Sequence, residues 1–163
     1  LGRNRGGTEM TITMEADLAK GVLTAFDNAL EISCIVRNEV NGWRKPNEVV
    51  NSMPDNKPVQ PRTFPKGIWA VGKPDPKNDE YMAPYFIPTD AWQYLPIWEL
   101  DDKGNYKKTM TELTKDKGYG LHYSTSTSTH GCIKIRTATD LMWLVNTIVT
   151  HQAQGDVIKL KVI

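Results

Sequence analysis

The sequence predicts a mainly β domain, a sandwich or distorted barrel with long loops and one helix near its C-terminal end. Three observations carry this expectation. Apolar and polar residues alternate in short runs, Met-Thr-Ile-Thr-Met-Glu-Ala from Met10 and Val-Ile-Lys-Leu-Lys-Val-Ile from Val157, and a period of two marks a half-buried strand. Prolines and glycines collect between such runs, with Pro46, Pro54, Pro58, Pro61 and Pro65 in one connection. The clearest helical spacing begins at Asp140. Strands separated by long Pro/Gly loops fit a sandwich or barrel better than a doubly wound parallel sheet.

Taken in order, residues 1–9 are polar and Gly-rich and read as a mobile lead-in to a single domain over 10–163. The strand from Met10 is followed by two more, Val-Leu-Thr-Ala-Phe and Leu-Glu-Ile-Ser-Cys-Ile-Val, with Asp27 and Asn28 turning between them. A helix over 16–26 is the rival reading, weakened by Gly21 and by β-branched residues. The chain therefore opens with antiparallel sheet. Residues 41–65 form a long irregular connection, and a strand resumes over 67–73. A second Pro-rich stretch leads to Trp92, Tyr94 and Trp98, aromatics beside prolines that suit either a pocket wall or a packed loop. A charged turn with Gly104 reads as a hairpin tip. A Ser/Thr run over 124–129 precedes the alternation Cys132, Ile133, Lys134, Ile135, Arg136. Thr137 or Thr139 caps a helix starting near Asp140, whose Leu141, Leu144, Val145 and Ile148 share one face. Gly155 ends it, and the run from Val157 closes the chain as a strand.

The composition narrows the function. At 163 residues the chain is one ordinary domain, long enough to remove about 70% of its extended-chain surface from water. Lys and Arg number 20 against 19 Asp and Glu, a net charge of +1. Scattered basic residues at that balance give no reason to expect nucleic acid, whose phosphates require a clustered positive surface. No apolar run reaches the roughly 20 residues of a bilayer span. No charged leader with an apolar core precedes Leu1, so a secretory signal is expected to be absent or already removed. No Gly-rich phosphate motif is present, and no nucleotide or other cofactor is expected. Two cysteines, Cys34 and Cys132, permit one bridge at most.

The chemistry concentrates around Cys132. Two of the three histidines, His122 and His130, lie within ten residues of it. A thiol attacks as thiolate, and an imidazole within reach both lowers its pKa and carries its proton. His130 and Cys132 share a face if the segment is extended, and Gly131 between them allows a turn whose N–H could face a developing oxyanion. Two other readings stay open. The cysteine can be a small buried hydrophobe beside a rim histidine, or His122, His130 and Cys132 can ligate zinc, although no Cys-x-x-Cys or His-Glu-x-x-His spacing accompanies them. His151, in the last helical turn, suits the negative end of the helix.

Residues 129–133, Thr-His-Gly-Cys-Ile, resemble the signature of the L,D-transpeptidase catalytic domain, in which Ser or Thr precedes His-Gly-Cys and another histidine lies upstream. His122 matches that upstream position. The string Thr-Phe-Pro-Lys-Gly-Ile-Trp-Ala-Val from Thr63 resembles the family's earlier Thr-Pro-x-Gly and apolar strand. Lys134 stands two residues after the cysteine, where the family carries Arg or Asn, and the helix follows the cysteine strand as it does there. Only six residues separate His122 from Thr129, a shorter loop than the family's.

The resemblance implies two-step acyl transfer on peptidoglycan stem peptides: a thioester forms on the cysteine, D-alanine leaves, and an amine of another stem takes the acyl group. Transfer to water instead makes an L,D-carboxypeptidase, and a non-catalytic wall-binding domain of the same fold is the third possibility. Carried over by position, Cys132 is the nucleophile and His122 the general base, oriented by the carbonyl of Tyr123, with His130 lining the site. The N–H groups of Gly131 and Cys132 are the oxyanion donors. Ser128, Thr129, Lys134, Arg136 and Trp92 are expected to contact substrate. Carbapenem-type inhibitors are expected to acylate the cysteine, and the location implied is periplasmic or extracellular. Cys34 is expected to stay unpaired, since a bridge would consume the nucleophile.

Overall fold

A computed structural model describes residues 9–25, 30–35, 63–100, 102–103, 106–125, 129 and 131–163, with the backbone alone over 30–35, 95–100 and 106–114. The lead-in lies outside these residues except for Glu9, as do the Asp27–Asn28 turn, Gly104 and most of the 41–65 connection.

The fold is mainly β. Strands β1 (Thr11–Asp17), β2 (Val22–Ala25) and β3 (Leu30–Ile35) form the expected antiparallel meander. The helix considered over 16–26 is a turn instead, because Asp17 captures the backbone: its carboxylate accepts from the N–H groups of Ala19 and Lys20, both at 3.0 Å, and its carbonyl accepts from Gly21 at 2.9 Å. The strand over 67–73 is shorter than expected, β4 (Gly67–Ala70). The second Pro-rich stretch is not loop throughout. It contains β5 (Asp75–Pro76) and β6 (Tyr85–Pro88), paired antiparallel, with Pro76 and Pro88 at strand ends, where a missing N–H is tolerated.

Strands β7 (Gln93–Leu100) and β8 (Tyr106–Asp116) form a separate hairpin around the charged turn. Its base is tied down by Gln93, whose amide donates to the Thr63 carbonyl at 2.9 Å and the Tyr119 hydroxyl at 2.7 Å, and by the Tyr119 hydroxyl on Asp116.

Strands β9 (Gly120–Tyr123), β10 (Ile133–Ile135) and β11 (Val157–Val162) complete a nine-stranded sheet of order β4-β11-β1-β2-β3-β10-β9-β6-β5. The sheet curls until β4 and β6 meet just beyond their ends, where Gly72 donates to Pro88 at 2.8 Å and Asp90 to Ala70 at 3.1 Å. Those isolated bonds leave the barrel distorted and open. Helix α1 (Ala138–Ala153) packs against β6, β9, β10 and β11. Thr137 is its cap, accepting from the Asp140 N–H at 3.1 Å, so the helix begins two residues before Asp140. Gly155, at φ 85, follows its end. The expected face, Leu141, Leu144, Val145 and Ile148, is buried, each side chain contributing about 1.5–3 kcal/mol by leaving water.

Candidate active site

Two strands carry the chemistry. Strands β9 and β10 are neighbours and parallel, with Ile133 opposite Leu121, Lys134 opposite His122 and Ile135 opposite Tyr123. Parallel neighbours are ordinarily joined by a crossover of a dozen or more residues, commonly a helix. Here the connection is the short segment 124–132, which leaves β9 and returns to start β10 on the same sheet.

Thr129 holds that segment. The residue is 1% exposed. Its hydroxyl donates to the Cys132 carbonyl at 2.6 Å and accepts from the Gly131 N–H at 3.2 Å. One side chain therefore spans the turn that ends in Cys132. Buried and bonded at both ends, the hydroxyl is a structural clamp on this turn. The Gly131 N–H, an expected oxyanion donor, donates to this hydroxyl.

Strand alternation sorts the faces. Leu121, Ile133 and Ile135 are fully buried in the core, so His122 and Lys134, a residue off in each strand, belong to the opposite face. Cys132 directly precedes β10, whose ladder with β9 begins at Ile133 opposite Leu121. The thiol is half-buried, is not engaged in a disulfide, and lies 3.8 Å from the Gly118 carbonyl, just ahead of β9. Gly120 is required by close packing: a Cβ there would lie 2.4 Å from Phe86 Cζ and 2.5 Å from the Ile87 carbonyl oxygen. Phe86 is opposite His122 in the β6–β9 ladder, and the two rings are 6.4 Å apart. Phe86 thus walls the face that carries the imidazole.

His122 is 5% exposed. Its Nδ1 lies 3.1 Å from the Tyr123 carbonyl oxygen. A carbonyl can only accept, so in the neutral ring Nδ1 carries the proton and Nε2 the lone pair. Burial holds the imidazole below its ordinary value, and the Lys134 ammonium acts the same way. The Tyr123 carbonyl, the Tyr81 carbonyl and the Asp79 carboxylate act in the opposite direction. The ring is therefore biased towards the neutral form near pH 7, the state in which it can accept a proton.

The other expected residues divide three ways. Tyr123 is half-buried beside His122, Lys134 is half-buried on the same face, and Arg136 is exposed just past β10. Trp92 is 36% exposed at the base of the hairpin, edge-to-face with Tyr94 at 5.1 Å and 4.4 Å from Lys115 Nζ. Ser128 and His130 lie outside the described residues, as do the side chains of Trp98 and Cys34; the Cys34 backbone pairs opposite Ile135. Among the described residues no three His, Cys, Asp or Glu side chains are grouped to hold a metal, and no helix is long and apolar enough to cross a membrane. His151, assigned to the helix end, contacts Asp156 through Nδ1 at 2.9 Å. Sequence reasoning missed Phe86, Gly120 and Asp79. The Asn-Asp-Glu string at 78–80 was the available signal for a side-chain-capped turn.

No family model matches the chain, and no characterised protein matches it by sequence. Among solved structures, it is similar to the crystal structure of the L,D-transpeptidase (residues 123-326) from Xylanimonas cellulosilytica DSM 15894, with a TM-score of 0.50 and 16% identity. The alignment covers 99% of this chain and 65% of that one. At that identity the likeness establishes an L,D-transpeptidase-like β fold.

Proposed function

We propose that the chain is a cysteine acyltransferase of the L,D-transpeptidase type, acting on peptidoglycan stem peptides through a thioester on Cys132 with release of D-alanine. The observation that carries this reading is the parallel β9–β10 pair. It brings the segment that ends in the half-buried Cys132 thiol alongside the strand that carries a buried, carbonyl-oriented imidazole, which supports the reading.

In this reading His122 Nε2 takes the Cys132 proton as sulfur adds to the carbonyl carbon of the L,D-amide bond. The tetrahedral oxyanion faces the Cys132 N–H, because the Gly131 N–H is held by Thr129. Collapse breaks the C–N bond, and the imidazolium returns its proton to the departing D-alanine amine. The acceptor amine then attacks the thioester, His122 takes its proton, and the thiolate leaves. Lys134 supplies positive charge near a stem carboxylate as a point charge rather than a planar fork, with Arg136 beyond it. His130 and Ser128 are assigned to the site by their positions in the sequence motif alone, and Trp92 is the candidate wall on the hairpin side. Peptidoglycan lies outside the cytoplasmic membrane, so the protein works in the periplasm or cell wall.

Incubation with a disaccharide tetrapeptide, followed by mass spectrometry, tests the reading. Crosslinked dimer, or exchange of the terminal D-alanine for an added D-amino acid, is the expected product, absent with Cys132→Ala. Tripeptide alone would make the protein an L,D-carboxypeptidase. No product, together with no carbapenem adduct on Cys132, would leave a non-catalytic wall-binding domain and end the acyl-transfer reading.

A further inference from the structure

The thiol of Cys132 meets a backbone carbonyl that the fold holds firmly in place. Cys132 donates through Sγ to the Gly118 carbonyl oxygen, 3.8 Å away. Gly118 is exposed and sits at φ 89, in the left-handed region that glycine enters without strain. A Cβ there would meet nothing within 4 Å, so conformation and not space calls for glycine. The peptide that carries this carbonyl is shared with Tyr119, which is 2% exposed and fixed at both ends. The Tyr119 carbonyl accepts from the Thr89 hydroxyl at 2.5 Å and the Thr89 N–H at 3.2 Å. Its hydroxyl accepts from Gln93 at 2.7 Å and donates to Asp116, and its ring meets Phe64 edge-on at 5.5 Å.

Resting on the reading of Cys132 as the nucleophile, we propose that the Gly118 carbonyl holds it as a neutral thiol in the resting protein, with Tyr119 anchoring that carbonyl. A hydrogen bond made by the neutral form of an acid disfavours the charged form. A thiolate in the same place would face the negative end of the C=O dipole, so the carbonyl opposes ionisation ahead of the chemical step. The S–H then leaves its bond to Gly118 and gives its proton to His122 Nε2 as the S–C bond forms, and the pair is neutral until that moment. A half-buried cysteine kept protonated is also slower to oxidise, since susceptibility follows thiolate character. Among the described residues, the charged and titratable groups on the elements around the thiol are His122 and Tyr123 on β9, Lys134 on β10, and Asp116 and Lys117 ahead of Gly118. Substitutions at Gly118 leave all of them in place.

The experiment is the pH profile of Cys132 alkylation by iodoacetamide, read at that residue by peptide mass, with thermal unfolding alongside, in the wild type, Gly118→Ala and Gly118→Asn. Alanine strains the left-handed backbone and turns the carbonyl away, whereas asparagine tolerates that region. Gly118→Ala should move the midpoint of the profile down by about half a pH unit, the scale of one weak hydrogen bond, and speed alkylation near neutral pH about threefold. Gly118→Asn should follow the wild-type profile. Two outcomes overturn the inference: a Gly118→Ala midpoint that stays in place or moves up, or a Gly118→Asn midpoint displaced as far as that of Gly118→Ala, since the added side chain and not the carbonyl would then be responsible. Failure of the acyl-transfer reading shows separately, as a wild type that gives no product from the disaccharide tetrapeptide while its alkylation midpoint still moves in Gly118→Ala.

Discussion

Thr129→Val removes the hydroxyl from the turn that presents Cys132 while keeping the side-chain shape. Two hydrogen bonds disappear together. Loss of the bond to the Cys132 carbonyl costs about 0.5–1.5 kcal/mol, and leaving the buried Gly131 N–H without its acceptor costs about 1–3 kcal/mol. The sum is about 1.5–4.5 kcal/mol, which lowers the melting temperature of a domain this size by about 3–18 °C. Thr129→Ser keeps the oxygen and should lose much less. Circular dichroism melts of the three proteins read the stability, and iodoacetamide labelling of Cys132 below the transition reads the geometry of the turn. The reasoning fails if Thr129→Val melts within a degree of the wild type, or if Thr129→Ser is the more harmful change, since then the methyl group and not the hydroxyl holds the segment.

Three further predictions concern the surroundings. His122 has a folded pKa below its ordinary 6.5, so the unfolded chain binds the proton first as pH falls. Stability from this group is complete above about pH 6.5 and is lost on acidification towards the folded pKa; His122→Gln should flatten the fall in melting temperature between pH 7 and 5, and parallel curves would refute it. Gly120→Ala forces a Cβ to 2.5 Å from the Ile87 carbonyl oxygen, a backbone atom unable to swing aside. Its cost, about 1–3 kcal/mol by overpacking, should appear in a urea titration together with slower Cys132 labelling. Thr137→Ala deletes the cap of α1 and should cost about 1 kcal/mol, seen as a lower urea midpoint at unchanged slope, with labelling untouched.

Much of the fold is legible because its signals are local. The alternation around Met14 and Leu160, the turn before Tyr106 and the apolar face of α1 each lie within one short window. The adjacency of β9 and β10 is not local: Gly-Leu-His-Tyr and Ile-Lys-Ile are too short to show a period, and nothing in either says they run parallel. Prolines misdirected the reading of 74–90, since Pro76 and Pro88 occupy strand ends and β5 and β6 were taken as loop. At the site, the Thr-His-Gly-Cys string drew attention to the right stretch of chain but not to the bonds within it. The Ser/Thr run gave no sign that Thr129 would be buried with its hydroxyl bonded to both a carbonyl and an N–H.

A base that serves acyl transfer must be neutral before the step and charged within it, so an environment that wholly favours either form would be a poor one. His122 experiences both pressures. Burial and Lys134 keep it unprotonated at rest, while the Tyr123 and Tyr81 carbonyls favour the charged ring. The carbonyls belong to two elements that meet only in the folded sheet: Tyr123 on β9 and Tyr81 in the loop between β5 and β6. The poise of the histidine is therefore a property of the β6–β9–β10 ladder rather than of the motif around the cysteine. On the proposed role of His122, a substitution in that ladder, far in sequence from Cys132, should lower thiol reactivity while leaving every residue of the Thr-His-Gly-Cys string intact.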